Sequence, residues 1–335
     1  MSIVRGRGAN LALSLASVAV TALVLAGAYE LVAQVRYLRW RASFDNRGWM
    51  GKLTVASANP VLLWEYRPHA EASGIVTNRH GFRDVDYPTP EKPAGIRRVA
   101  FLGDSVTLGM GVSFPETFVA RVGARSREEG QALQALNFGV DGYNALQIRE
   151  LLTARVLAFE PDQVVYVMSL NDFDFTDSSG RKIAYFRRPS CFLLQDLERR
   201  WRSLRGVEFY RYHFERNREA AFGAVGEMKE ILEAREKALF IFLVPVFPDP
   251  PDDPSYFDHY PLRELHRDIR READTRGLHI HDLLPAFRGD RPRPPRYSLD
   301  VWHLNEEGHR VVAEAILAVL SGPAARGHRP LHQST

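Results

Sequence analysis

Short apolar runs alternate with longer stretches of helical periodicity from residue 97 to residue 320. The run at residues 163–168, Gln-Val-Val-Tyr-Val-Met, is apolar enough to be a strand that is buried on both faces of a sheet. Similar runs predict four further strands, at residues 97–102, 133–138, 239–246 and 278–283. Helical patterns predict helices at residues 114–129, 145–159, 218–238, 262–276 and 305–320. Because strands separated by helices form βαβ units, the sequence predicts about five parallel strands between two helix layers.

Polar residues follow three of the predicted strands directly. Gly103-Asp104-Ser105 follows the first strand, residues 139–144 follow the second, and Ser169-Leu170-Asn171-Asp172 follows the third. The carboxyl ends of parallel strands meet at one edge of a sheet, where ligands bind in the crevice at which strand order reverses. The sequence therefore predicts that these three loops lie together.

The residue types in these loops and near the C-terminus suit nucleophilic catalysis. A serine hydroxyl such as that of Ser105 needs a base to take its proton. His303 can be that base, and Asp300, three residues earlier, can hold the other imidazole nitrogen and fix the tautomer. An oxyanion could be held by the backbone N–H groups of Ser105 and Gly142 and by the amide of Asn171.

Four short motifs in this order resemble those of the GDSL/SGNH hydrolase family. They are Gly103-Asp104-Ser105, Asn137-x-Gly139-x-x-Gly142, Asn171-Asp172 and Asp300-x-x-His303, and the resemblance spans roughly residues 78–320. It implies a flavodoxin-like three-layer α/β/α fold, with Ser105 as nucleophile, His303 as base and Asp300 as its partner. It also implies an oxyanion hole made by Ser105, Gly142 and Asn171. The family usually has glycine where this chain has Ser169.

The resemblance implies a serine ester hydrolase, and we expect it to remove acyl groups, above all acetyl, from an extracytoplasmic glycan or a related ester. The segment Asn78-Arg79-His80-Gly81-Phe82-Arg83 also looks like that of a membrane-anchored subgroup linked to cell-surface polysaccharide. Two alternatives stay open. One is an O-acyltransferase that uses the same residues on cell-surface polysaccharide. The other is a non-catalytic glycan-binding or scaffold protein, and only Ser169 points to it.

The composition argues against several other classes of function. The formal net charge is only +3, which gives no case for nucleic acid as a partner. Cys191 is the single cysteine, so no intramolecular disulfide can form. Acidic residues in the Pro-rich stretch at residues 249–259 lack regular ligand spacing, so we predict neither a metal nor a cofactor. His309 is expected to pack in the last helix rather than to act in catalysis.

The N-terminus contains an uncharged apolar run at residues 11–28, preceded by Arg5 and Arg7. This run is just long enough to cross a bilayer as a helix. Ala26-Gly27-Ala28 resembles a signal-peptide cleavage site, but the run is longer than a usual signal core, so we favour an uncleaved anchor. A simple count of flanking arginines would place the domain in the cytoplasm, but long domains translocate largely regardless of charge. The family resemblance favours a single-pass inner-membrane protein whose catalytic domain faces the periplasm.

These observations divide the chain into four parts. Residues 1–35 are predicted to be a transmembrane anchor, and residues 36–95 a membrane-proximal stalk and lead-in segment. Residues 96–321 form the predicted hydrolase domain, with an insertion at residues 173–217 that is too long for a plain connection. Residues 322–335 are predicted to be a disordered tail.

Overall fold

A computed structural model describes residues 2–47, 49–87, 89–175, 190–203, 206–248, 256–288 and 297–322. The chain begins with the long helix α1 (Ser2–Arg47), which is followed by the short helix α2 (Trp49–Leu53). Within α1, the stretch Leu13–Arg39 has a mean hydropathy of 1.9, and no residue of its most apolar 18-residue window is buried, whereas Tyr37 near its end packs against Phe192. By length and composition this stretch fits either a membrane span or an N-terminal signal sequence. The predicted boundary at residue 35 falls inside α1, and the division into domains stays a prediction.

A lead-in segment of two small antiparallel hairpins precedes the main sheet. Strand β1 (Thr54–Ala56) pairs with β2 (Trp64–Tyr66), and β3 (Glu71–Ala72) pairs with β4 (Ile75–Val76). Aromatic side chains of this segment are buried in the main core, among them Trp64, Tyr66 and Phe82. The lead-in segment therefore packs onto the domain that contains the main sheet.

The main sheet has five parallel strands. In chain order they are β5 (Arg97–Gly103), β6 (Leu133–Gly139), β7 (Gln163–Met168), β8 (Ala238–Leu243) and β9 (Ile280–Asp282). In space their order is β6-β5-β7-β8-β9, which is the flavodoxin-like order. The direction in which successive strands are added reverses between β5 and β7. Every residue of the central strand β7 is buried. The predicted parallel sheet and fold class are confirmed.

Helices cover both faces of this sheet. The first of them are α3 (Ser105–Leu108), α4 (Phe118–Glu128) and α5 (Ala145–Ala154). The chain moves outward from β5 to β6 and back across β5 to β7, so right-handed crossovers place α4 and α5 on opposite faces. The later helices are α6 (Phe192–Ser203), α7 (Glu208–Glu233), α8 (Arg263–Thr275), α9 (Leu284–Arg288) and α10 (Glu306–Leu320). Helix α10 packs on α4, and α7 packs on α5.

The predicted insertion contains regular structure. Helix α7 has 26 residues and begins at Glu208, ten residues before the predicted start of a helix at residue 218. Its first turns bury Tyr210, His213 and Phe214, whose spacing places them on one helix face. Helix α6 also lies in the insertion, and Glu30 of α1 accepts the backbone N–H groups at its start. Residues 176–189 and 204–205 of the insertion lie outside the described residues.

His309 is a buried packing residue of α10, in accordance with the expectation from sequence. Its Nδ1 atom accepts the backbone N–H of Phe118 at 3.2 Å, and its ring stacks on the Phe118 ring. Its Nε2 atom has no hydrogen-bond partner among the described residues. Burial, with the nearby charges of Arg83 and Arg121, lowers the pKa of His309 from 6.5 to about 3. The folded protein therefore holds this imidazole neutral.

We expect His309 to make the fold sensitive to acid. The unfolded chain binds a proton at this histidine below about pH 6.5, and the folded chain binds it only near pH 3. Stability from this group is thus complete above pH 6.5, and it falls by up to about 1.4 kcal/mol per pH unit below that. Asparagine at this position keeps an acceptor but cannot be protonated. Urea unfolding at pH 7, 6 and 5 should show a shallower pH dependence for His309→Asn than for the wild type.

The exposed residue His259 provides the matched control, because His259→Asn removes a histidine without touching the core. Equal pH slopes for the wild type and His309→Asn would show that His309 is not the source of the acid sensitivity.

Candidate active site

Ser105 lies at a sharp turn between strand β5 and helix α3. The Oδ1 atom of Asp104 accepts the backbone N–H of Val106 at 2.9 Å and so caps this helix. Gly103 has a φ of +157°, and a Cβ atom there would lie 2.1 Å from Thr107 Oγ1 and 2.8 Å from the Val167 carbonyl oxygen. The turn therefore requires glycine before Asp104, and it presents Ser105 at the carboxyl edge of the sheet.

Ser105, His303 and Asp300 form a continuous chain of hydrogen bonds. His303 Nε2 lies 3.1 Å from Ser105 Oγ, and His303 Nδ1 lies 2.8 Å from Asp300 Oδ2. A carboxylate at Nδ1 favours the tautomer that carries its proton there, which leaves Nε2 to accept the serine proton. The structure thus brings together all three residues that the sequence predicted as the catalytic group.

Asp300 also holds the loop that carries the histidine. Its Oδ1 atom accepts the backbone N–H groups of Trp302 at 2.8 Å and His303 at 2.7 Å. Partial burial by itself would raise the pKa of Asp300, but the hydrogen bonds from the His303 ring and from these backbone groups lower it below its ordinary value. The Asp300 side chain is 53% exposed and the His303 side chain 19% exposed, so water reaches this end of the site.

The two other predicted oxyanion donors lie on loops that follow neighbouring strands. Asn171 lies in a 3-10 turn after β7, and its Nδ2 atom donates to Asp104 Oδ2 at 2.8 Å. Gly142 follows β6 in a turn where its φ is +77°, in the left-handed region that favours glycine. These loops are anchored at the same sheet edge as Ser105, because Gly103 is in register with Gly139 and Val167. Their role as an oxyanion hole stays a prediction.

Ser169 occupies the usual glycine position of the family without distorting the backbone. Its φ of −119° and ψ of 166° are extended and open to any residue. Its hydroxyl lies 3.0 Å from Asp104 Oδ2 and is in contact with the side-chain oxygen of Asn171. The hydroxyl therefore links the carboxylate behind the nucleophile to the predicted oxyanion amide, and its presence gives no sign of an altered site.

Two buried carboxyl groups, those of Asp104 and Asp172, support these loops. Tyr166 donates its hydroxyl to Asp172 at 2.6 Å, and the backbone N–H of Ser169 donates to the same oxygen at 3.1 Å. Burial raises the pKa of both carboxyl groups, and for Asp172 the negative charge of Asp104 adds to the effect. These contacts give both carboxyl groups a structural role in the loops that carry Ser105 and Asn171. Among the described residues, no group of three or more His, Cys, Asp or Glu side chains is placed to hold a metal ion.

Sequence reasoning missed how the lead-in segment reaches the site. Arg83 is buried, and its guanidinium donates to the carbonyl oxygens of Leu108 and Gly109, at the end of the helix that Ser105 begins. The sequence offered one signal, the unusual polar motif at residues 78–83. Tyr210 of α7 belongs to the predicted insertion, and its ring packs against Trp302 with the centroids 5.1 Å apart.

A serine that contacts a histidine–aspartate pair at the carboxyl edge of a parallel sheet is an arrangement found in serine hydrolases with a three-residue catalytic group. The model of the GDSL-like lipase/acylhydrolase family matches residues 101–311, and this chain belongs to that family. The protein is a serine esterase, and its substrate class is an ester.

Several solved structures are similar to this chain at low identity. The acetyl xylan esterase AlAXEase is 16% identical, with 67% of this chain and 99% of that chain covered and a TM-score of 0.43. TesA is 14% identical, with 67% and 98% covered and a TM-score of 0.43. A variant of Axe2, an acetylxylan esterase from Geobacillus stearothermophilus, is 15% identical, with 67% and 94% covered and a TM-score of 0.42. Among curated proteins, none matches this chain.

Proposed function

We propose that this protein is a membrane-anchored serine esterase that removes small acyl groups, above all acetyl, from an extracytoplasmic glycan. The observation that carries the catalytic part is the hydrogen-bond chain from Ser105 through His303 to Asp300, with contacts of 3.1 Å and 2.8 Å. The small acyl size is supported by an aromatic pair beside the base, and the location by the apolar stretch near the N-terminus.

The proposed reaction proceeds through an acyl-enzyme. Ser105 Oγ attacks the ester carbonyl carbon while its proton passes to His303 Nε2, and Asp300 stabilises the imidazolium that forms. The negative oxygen of the tetrahedral intermediate is held by the N–H groups of Ser105 and Gly142 and by Asn171. His303 then gives its proton to the leaving alcohol oxygen as the carbon–oxygen bond breaks. Water attacks the acyl-enzyme in the same way, which releases the carboxylic acid and restores Ser105.

The aromatic pair of Trp302 and Tyr210 supports a small acyl group. Trp302 stands between the acid and the base in sequence, and its backbone N–H is fixed by Asp300. Its ring is partly buried and packs edge-on against the buried Tyr210 ring. A bulky ring that is fixed beside the base limits the length of the acyl chain that fits against Ser105.

Trp302→Ala should widen the acyl specificity. We expect the ratio of kcat/KM for p-nitrophenyl butyrate to kcat/KM for p-nitrophenyl acetate to rise on the order of 10-fold, because a few methylenes gain room to bind. Trp201→Ala is the control, since Trp201 is a 42% exposed tryptophan of α6. An unchanged ratio for Trp302→Ala would remove Trp302 from the acyl side of the site.

Product analysis tests the reaction itself. Purified full-length protein is incubated with acetylated xylo-oligosaccharide, with and without an unacetylated oligosaccharide acceptor. Free acetate in both reactions, and no acetylated acceptor, is the expected result, because half-exposed Asp300 and part-exposed His303 leave water access to the acyl-enzyme. Acetyl transfer to the acceptor would instead establish the acyltransferase alternative, which uses the same residues.

The proposed location is supported by the apolar stretch Leu13–Arg39 and by the family resemblance of residues 78–83. Protease treatment of spheroplasts from a Gram-negative host tests it. We expect the hydrolase domain to be digested in intact spheroplasts and to sediment with membranes before digestion. Protection of the domain would place it in the cytoplasm, and a soluble periplasmic product that begins after residue 28 would identify a cleaved signal peptide.

A further inference from the structure

The helix that begins with Ser105 is a single turn, and its far end is held by side chains from outside it. Helix α3 contains only Ser105–Leu108, so a shift of its last residues moves Ser105 directly. The nearest backbone N–H groups, those of Gly109 and Met110, bond to the carbonyl oxygens at its beginning, on Ser105 and Val106. The carbonyl oxygens at its end therefore need other donors.

Arg83 supplies most of these donors. Its guanidinium donates to the carbonyl oxygens of Leu108 at 3.1 Å, Gly109, and Val112 at 2.7 Å. A fourth bond, of 3.2 Å, ties it to the Gly74 carbonyl oxygen of the lead-in segment. Arg83 is 2% exposed, and no carboxylate lies within ion-pair distance of it in the part of the chain that the structure describes. This buried cation is stabilised by the partial negative charges of the carbonyl oxygens that accept its hydrogen bonds.

The neighbouring residue Asp84 completes the link through strand β6. Its Oδ2 atom accepts the backbone N–H of Asn137 at 2.9 Å. Asn137 in turn donates its side-chain amide to the Thr107 carbonyl oxygen at 3.0 Å. Side chains thus hold the carbonyl oxygens of three consecutive residues, 107–109. Arg83 belongs to the lead-in segment, and Asn137 is positioned by it.

We propose that Arg83 is a positioning residue, which fixes the nucleophile helix so that Ser105 Oγ stays within reach of His303 Nε2. This inference rests on the proposed role of Ser105 as nucleophile. Displacement of reacting atoms by about 1 Å can cost on the order of 100-fold in rate. The lead-in segment is then part of the catalytic machinery rather than a stalk alone.

The test compares Arg83→Met and Arg83→Lys with the wild type, all as full-length protein. For Arg83→Met we expect kcat with p-nitrophenyl acetate to fall 10- to 100-fold, as about 1 Å of displacement implies, with KM changed by less than about 3-fold. The rate of fluorophosphonate labelling at Ser105 should fall in parallel. Arg83→Lys should recover part of kcat, because an ammonium group can still donate to carbonyl oxygens.

Arg98 is the matched control. It is 1% exposed, and it donates to the carbonyl oxygens of Phe159 at 2.7 Å and Glu91 at 3.0 Å. It lies at the amino end of β5, the end opposite Ser105. We expect Arg98→Met to lower Tm as Arg83→Met does while leaving kcat within about 3-fold of the wild type. Equal losses of kcat in the two variants at equal Tm would reduce Arg83 to a stability role and overturn the inference.

The remaining outcomes also decide the question. If Arg83→Met does not fold, Arg83→Lys and Arg98→Lys carry the same comparison: kcat should fall more in Arg83→Lys than in Arg98→Lys at equal Tm, and equal kcat in the two variants would overturn the inference. A wild-type labelling rate in folded Arg83→Met would overturn it outright. Failure of the wild type itself to label would instead refute the proposed function.

Discussion

Replacing Ser105 with alanine is expected to lower kcat for p-nitrophenyl acetate on the order of 10⁵-fold, and His303→Ala should lower it about as much. The two residues act as one unit, because the hydroxyl has no general base without the imidazole and the imidazole has no nucleophile without the hydroxyl. The 3.1 Å contact between Ser105 Oγ and His303 Nε2 is the physical basis for this expectation. The double variant should therefore lose little more than either single variant.

Fluorophosphonate labelling gives the same prediction a covalent readout. The wild type should be labelled, and neither Ser105→Ala nor His303→Ala should be. Ser126 is the matched control, because it is a fully buried serine of α4 whose hydroxyl has no hydrogen-bond partner among the described residues. Ser126→Ala should label and hydrolyse as the wild type does. A folded wild type that binds oligosaccharide but does not label would support the non-catalytic alternative instead.

The proximity of Ser105 and His303 could be predicted although they are 198 residues apart. The pairing followed from the resemblance of Asp300-x-x-His303 to the family pattern, whereas topology predicted that the loops after the first three strands lie together, since the ends of parallel strands converge. The positions of the strands followed from their apolar runs, because β7 is buried along its whole length and β5 is buried after Arg97. The position of Asp300 relative to His303 followed from their spacing within one turn.

Other features depend on contacts that no local pattern encodes. The start of α7 at Glu208 was missed because aromatic and arginine side chains obscure its helical period, although Tyr210 and Phe214 are buried. The bonds from Arg83 to the nucleophile helix arise only when the lead-in segment has packed on the domain. Ser169 departed from the family pattern, yet its extended backbone shows that this departure is a change of side-chain contacts only.

Replacing Asp300 with asparagine is the change that isolates the orientation of the base. We expect kcat to fall on the order of 10³-fold, somewhat less than about 10⁴-fold for a buried triad aspartate, since this carboxylate is 53% exposed. The asparagine oxygen can still accept the backbone N–H groups of Trp302 and His303, so Tm should change little. Its NH₂ group cannot accept a hydrogen bond from His303 Nδ1, so the tautomer with the proton on Nε2 is favoured. A protonated Nε2 cannot take the proton of Ser105.

Two comparisons separate this tautomer effect from loss of structure. Asp300→Ala removes the backbone acceptor as well, so it should lower Tm in addition to kcat. Asp258→Asn is the control for an exposed aspartate, because the Asp258 side chain is 51% exposed. Asp258 pairs with Arg288 at 2.6 Å and takes no part in the hydrogen-bond chain of the site. That variant should keep the kcat of the wild type. If Asp300→Asn retains kcat within about 10-fold, the carboxylate does not orient His303, and the half-exposed position of Asp300 leaves Ser105 and His303 to act as a dyad.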